Sequence, residues 1–174
     1  MHRQLGRSRA RAAQGYRRLL VRVGEDVESQ SAVDVACRLA AERGACISAV
    51  AVVEVPALLP LDAHLGREEE QARRLLERAS ATGDTFGVKV VSRVLRARTA
   101  GTAILDEARA SGAELIVLGT ARQTLRSTGA LALEEAVRHV LGAAPCRVLL
   151  VAARADGESQ ATGGARRAQI RSAA

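Results

Sequence analysis

The residues best placed to do chemistry follow the apolar run ELIVLG, residues 114 to 119. Gly119 and Thr120 close that run. Arg122, Arg126 and the Ser127-Thr128-Gly129 turn follow, and a helical pattern opens at Ala130. Strand, glycine loop and helix together make an anion site. Backbone N–H groups at the helix start point outward, and the helix dipole favours negative charge there. The chemistry implied is phosphate binding. Arg122 stands where a second glycine would let the backbone close on a phosphate. Arg122 and Arg126 could instead grip a phosphate by charge, with Ser127 and Thr128 adding hydroxyls. Each has a plainer reading beside it. Gly119 also reads as a strand-end turn, the two arginines as solvated surface charge, and Thr128 as a helix cap.

No second constellation competes. His139 reads as a surface or structural residue on its helix. His64, near Asp62 in a Pro-rich loop, lacks an orienting partner in the sequence. Glu68, Glu69 and Glu70 precede Arg73 and Arg74 at helical spacing and read as i,i+4 pairs on a solvated face. Cys37, Cys46 and Cys146 have neither C-x-x-C nor metal spacing, which leaves buried thiols in a reducing compartment, Cys146 among them. Nothing assembles a nucleophile, a base and an orienting group, so the expectation is a protein that is not an enzyme and has no metal or catalytic residue.

Composition narrows the class. With 174 residues the chain can hold one core, and Tyr16 and Phe86 are its only aromatics. That scarcity counts against base-stacking recognition of nucleic acid. The net charge of +7 belongs to the ends. Six arginines and no acid stand in residues 1–18, and four arginines face Asp156 and Glu158 in residues 153–174. Residues 1–16 and 154–174 read as disordered arms. Contact with nucleic acid or membrane would come only through them. No apolar run is long enough to span a bilayer, and no signal-peptide pattern opens the chain, so the expected location is the cytoplasm.

The elements that must position the loop alternate. Leu19–Val23, Cys46–Val55, Val88–Leu95, Leu115–Leu118 and Val148–Val151 are apolar and rich in β-branched residues. Between them lie four helical patterns. The first is capped by Ser29 or Ser31 and carries Ala32, Val35, Ala36, Leu39 and Ala40 on one face, with Gly44 at its end. The second spans Glu68–Ala79. The third follows Thr99 or Thr102, with Ala103, Ile104, Leu105 and Ala108 inward and Gly112 at its close. The fourth spans Ala130–Leu141 and is stopped by Gly142. Single helices between strands imply an α/β fold: five parallel strands joined by right-handed crossovers, with helices on both faces in a three-layer sandwich. Ligands on such sheets bind at the carboxyl ends of the strands. Those ends are Gly24–Asp26, Glu54–Pro56, Arg96–Thr99 and Gly119 onward.

Five stretches, in order, resemble the universal stress protein domain: LLVRVGED, ISAVAVVEVP, VLRARTAGTAILDEA, SGAELIVLGTAR and VLGAAPCRVLLV. They cover residues 17–153. The resemblance implies an adenine-nucleotide α-hydrolase-like sheet of order 3-2-1-4-5. It also implies a homodimer built on the fifth strand, whose apolar edge invites pairing. In the branch that binds ATP, the fourth strand leads into G-x-x-G, nine residues, then G-[ST]. Here Gly119 matches, Arg122 replaces the second glycine, and Ala132-Leu133 or Glu134-Glu135 stand in place of Gly-Ser. Gly24 stands where ATP-binding members usually carry Asp. The implied nucleotide site is Val23, Gly24, Gly119, Thr120, Arg122, Arg126, Ser127, Thr128 and Gly129, with ATP or another adenine nucleotide as its ligand. VEVP, LPLD and VLRARTAGTAI also resemble stress-type domains appended to transporters. That makes a nucleotide-free module with a protein partner the competing expectation.

Overall fold

The computed structural model describes residues 15–121 and 133–153. The strands are β1 Arg18–Arg22, β2 Cys46–Glu54, β3 Val90–Ala97, β4 Leu115–Ala121 and β5 Arg147–Ala153. The helices are α1 Val27–Arg43, α2 Gly66–Thr85, α3 Ala100–Ser111 and α4 Glu135–Ala143. The strands form one sheet in the order β3-β2-β1-β4-β5, with every neighbouring pair parallel. That is the expected topology. The N-terminal residues up to Gln14, and residues 154–174, lie outside the described residues. Tyr16, assigned above to the arm, packs on the edge of the core beneath the Arg147 guanidinium, 5.7 Å from its ring centre.

Strand alternation divides the core in two. Leu19, Val21, Leu115 and Val117 face α1 and α2. Leu20, Ile116 and Leu118 face α3 and α4. Both clusters are aliphatic, as the scarcity of aromatics requires, and a sheet buried on both faces reads as unbroken apolar runs.

Several helix details differ from the sequence reading. The α1 cap is Asp26, whose carboxylate accepts from the Ser29 N–H at 2.6 Å and the Ser29 hydroxyl at 3.0 Å. Ser29 is the residue capped, three positions into the helix, and Ser31 lies inside it. The buried stripe is Ala32, Val33, Ala36, Cys37 and Ala40, with Val35 and Leu39 only half-buried. Gly44 ends α1 at φ 60° and Gly112 ends α3 at φ 61°, the left-handed geometry that glycine adopts freely. Thr99 does hold the cap position of α3, but its hydroxyl lies beside that of Thr102 and makes no cap bond. α2 continues past Ala79 to Thr85 because Gly83 lets the helix press on Val88 and Val90. Gly142 does not stop α4. The helix runs through it to Ala143 and ends before Pro145, where the proline ring disfavours helical backbone. The predicted start of that helix, residues 130–132, lies outside the described residues.

The cysteines are not alike. Cys37 is buried, Cys146 is half-buried against the α3–α4 cluster, and Cys46 is exposed, contrary to expectation. Cys46 opens β2, exposed, with its thiol donating to the Arg17 carbonyl at 3.5 Å. Burial raises the Cys37 thiol pKa, helped by the Asp34 charge; burial also raises that of Cys146, against a backbone hydrogen bond at Ile116. The thiolate is the reactive form. Maleimide labelling of the native chain at neutral pH should therefore modify Cys46 first, with Cys37 reacting only on unfolding. Equal rates at Cys37 and Cys46 would contradict this assignment.

Candidate functional site

The carboxyl ends of β1, β2 and β4 converge as a parallel sheet requires. β1 is the central strand, and its last residue, Arg22, stands in the sheet plane between its neighbours. Beyond it Val23 is buried, and Gly24 lies over the start of α1. Two cavities meet at Arg22. One, of about 240 Å³, lies under α2 and is walled by Val23, Gly24, Ala51, Val53 and Leu75, with Glu54 at its rim. The other, of about 450 Å³, opens between β1, β4 and the start of α1, with Gly119, Thr120, Asp26, Glu28 and Glu134 around it. Of the implied site residues, Val23, Gly24, Gly119 and Thr120 are thus brought to one end of the sheet. Arg122, Arg126, Ser127, Thr128 and Gly129 lie outside the described residues.

Gly119 is not in a loop. β4 continues through Thr120 and Ala121, which stay in register with Ala152 and Ala153 of β5. The loop expected from residue 119 therefore does not begin there, and residues 122–132 lie outside the described residues. Gly119 is glycine because α1 leaves no room: an added Cβ would run into the Glu28 carbonyl and stand 2.6 Å from the Ser29 nitrogen. Strand-to-helix packing, not a turn, fixes this residue.

Gly24 has a comparable constraint. A Cβ there would lie 2.7 Å from the Asp26 carboxylate, the cap of α1, and 2.8 Å from the Ser29 hydroxyl that donates to it. The acid of the ATP-binding pattern is thus not merely missing; the cap occupies its space. Gly24→Asp should lose the cap and place two carboxylates in contact, lowering stability by about 1–2 kcal/mol. It should not strengthen nucleotide binding. A thermal melt matching the parent chain would refute the conflict.

Four polar residues whose partners the sequence did not reveal shape the rest. Glu54, at the end of β2, accepts the Ala100 N–H of α3 at 2.7 Å, so an internal carboxylate already occupies that helix start. Arg96 and Arg98 turn away from the strand ends. Arg96 donates to the carbonyls of Leu61 and Ala63 and to Glu69, while Arg98 donates to those of Val55 and Pro56. They hold the loop after β2 and are spent there. Arg22 pairs with Glu134 at 3.1 Å. The alternation in LLVRV marks Arg22 as the one charge among apolar neighbours, a signal that could have flagged it. The partner, 112 positions away, carried none. His139, with Glu54, Glu135 and Gly101, borders a neighbouring cavity between α3 and α4. His64 is an exposed loop residue beside Gly66. The expected Glu–Arg pairs on α2 are present: Arg73 reaches Glu69 and Glu70, and Arg74 reaches Glu70.

The described rim is acidic. Glu25, Asp26, Glu28, Glu54, Glu134 and Glu135 surround these cavities, against Arg22 and Arg98. Such a rim tolerates a small anionic charge held by Arg22 and opposes a long polyphosphate.

Comparison with known proteins places this geometry. Among curated protein sequences, none matches the chain significantly. Among solved structures, a universal stress family protein from Burkholderia pseudomallei is 26% identical, with TM-score 0.64, over 79% of this chain and 97% of that one. A universal stress protein from Archaeoglobus fulgidus in complex with dAMP is 17% identical, with TM-score 0.62, over 78% of this chain and 98% of that one. A family protein from Arabidopsis thaliana with AMP bound is 14% identical, with TM-score 0.58, over 83% and 97%. The model of the universal stress protein family matches residues 15–152. By that match and its β3-β2-β1-β4-β5 sheet, the chain belongs to the universal stress protein family.

Proposed function

We propose that the chain is a non-catalytic regulatory module that binds an adenine nucleotide with a short phosphate chain. The adenine would lie in the apolar-walled cavity of Val23, Ala51, Val53 and Leu75, and the phosphate beside Gly119 and Thr120. The carrying observation is that two cavities, one with an aliphatic wall of Val23, Ala51, Val53 and Leu75 and one at Gly119 and Thr120, meet at the carboxyl ends of the central strands. The dAMP and AMP complexes of structural relatives support the ligand class. The acidic rim favours a monophosphate over ATP, whose outer phosphates would approach Glu134 and Glu135. The module would work as a cytoplasmic homodimer through the half-buried edge of β5.

Acid extraction of the purified chain, followed by calorimetry against AMP, ADP and ATP, tests the reading. AMP should bind with a micromolar dissociation constant and ATP more weakly. No binding of any of the three at millimolar concentration would end it. Light scattering that finds only monomer at high concentration would remove the dimer.

One observation favours a second reading, a module that docks on a protein partner such as a transporter. Leu58, Leu59 and Leu61 are 97%, 40% and 50% exposed in the loop after β2, and Arg96 and Arg98 hold that loop in place. A fixed apolar ridge in water marks an interaction surface. If that reading holds, Leu58→Glu should abolish partner capture and leave AMP binding unchanged.

A further inference from the structure

We propose that Arg22 is the residue that reads the ligand's phosphate, and that Glu134 is an internal competitor occupying Arg22 until the phosphate arrives. The inference rests on the nucleotide-binding reading above and assigns the residue that gives it phosphate selectivity.

Four observations carry it. Arg22 is the only cation lining the cavity of Gly119 and Thr120 among the described residues, where Asp26, Glu28 and Glu134 supply three carboxylates. It is also shared with the apolar-walled cavity, so it stands where base and phosphate would meet. Its side chain is partly buried, at 22% exposure, at the end of the central strand, so its reach is fixed by the sheet. Finally, Glu134 stands at the N-cap of α4 yet makes no cap bond; its carboxylate reaches Arg22 instead.

A guanidinium forms the same charge-assisted hydrogen bonds with a carboxylate as with a phosphate. The pair is therefore an exchange site. In the free chain Glu134 neutralises Arg22. A phosphate beside Thr120 replaces that carboxylate, and Glu134, 54% exposed, turns to water at the helix start, where a negative charge remains favourable. Charge thus takes over the work that the lost Gly-x-x-Gly backbone would do. Among the described residues Arg22 is the one guanidinium at this cavity, and one phosphate is its natural complement.

The test is calorimetry of AMP and adenosine on the full chain and on Glu134→Gln, Arg22→Gln and the double variant, with thermal melts confirming folding. Glu134→Gln keeps size and removes the competing charge. It should tighten AMP about two- to fivefold, the scale of an exposed ion pair. Arg22→Gln should lower the AMP-to-adenosine affinity ratio about tenfold or more. The double variant should behave as Arg22→Gln, because the competitor matters only when Arg22 is present. An unchanged AMP-to-adenosine ratio in Arg22→Gln overturns the assignment while leaving the nucleotide reading intact. Unchanged AMP affinity in Glu134→Gln overturns the competition. If the parent binds neither probe but Glu134→Gln binds AMP, the competitor is supported in its strongest form. If no variant binds either probe, the nucleotide reading and this one fall together.

Discussion

Gly119→Ala should lower stability by about 3 kcal/mol and the melting temperature by about 10 °C, although it adds a single methyl group. The atoms that methyl would meet are backbone: the Glu28 carbonyl group and the Ser29 nitrogen. A flexible side chain could rotate away; backbone atoms move only if an element moves. Neither element is free to do so. Glu28 and Ser29 lie in the first turn of α1, and Asp26 pins that turn through Ser29. Gly119 lies inside β4, paired with Val151 of β5, and β4 pairs β1 on its other side. To admit the methyl, α1 must lift from the sheet, opening the cluster of Val21, Ala32, Ala36 and Val117. Gly142→Ala is the matched control. It lies inside α4 with nothing within 4 Å of an added Cβ, and the helix should gain slightly in stability. Chemical denaturation of both variants decides the matter. A Gly119→Ala chain within 1 kcal/mol of the parent, as a rough threshold on the usual scale of point substitutions, would show that α1 yields easily.

Gly119 also marks how far the sequence could be read. Its position was legible because LIVLG is a short continuous apolar run between helical patterns, of the kind found in a strand buried on both faces. Its role was not. A phosphate-loop glycine and a close-packing glycine are the same letter, and only the Glu28 backbone distinguishes them. The stripe of α1 failed for a related reason. Ala32, Ala36 and Ala40 fit a helical face that continues either to Val35 and Leu39 or to Val33 and Cys37. The choice is made by the sheet and α2, not by periodicity. Arg96 and Arg98 stand at a strand end, the side of the sheet where ligands bind. They face the loop after β2 because its carbonyls need donors and the Pro56–Pro60 segment supplies few of its own. Charge pairs such as Arg22–Glu134 join residues far apart in the chain, and no local pattern encodes them. The site was thus legible as a place, the carboxyl end of the central strands, but not as a chemistry.

Ile104→Ala should cost about 3 kcal/mol, the usual range for truncating a fully buried isoleucine. The mechanism is a cavity in the cluster of Leu20, Ile116, Leu118, Val137 and Val140. What separates this position from other core sites is its effect on α4. Nine residues are too few to hold a helix in water, so α4 exists because Val137 and Val140 bury against α3 and the sheet. Gly101 lets the two helices approach: a Cβ added there would stand 2.9 Å from the His139 Cβ. The same truncation should therefore loosen α4 before it loosens α1. Hydrogen exchange on the variant should report lower protection in residues 137–143, with residues 32–40 losing only what the global stability loses. A loss spread evenly over both helices would refute the idea that α4 is a dependent element. The consequence reaches the site through Glu134, which leads into this helix. A frayed α4 holds Glu134 less firmly against Arg22, so packing on one face of the sheet sets the charge balance at its carboxyl end.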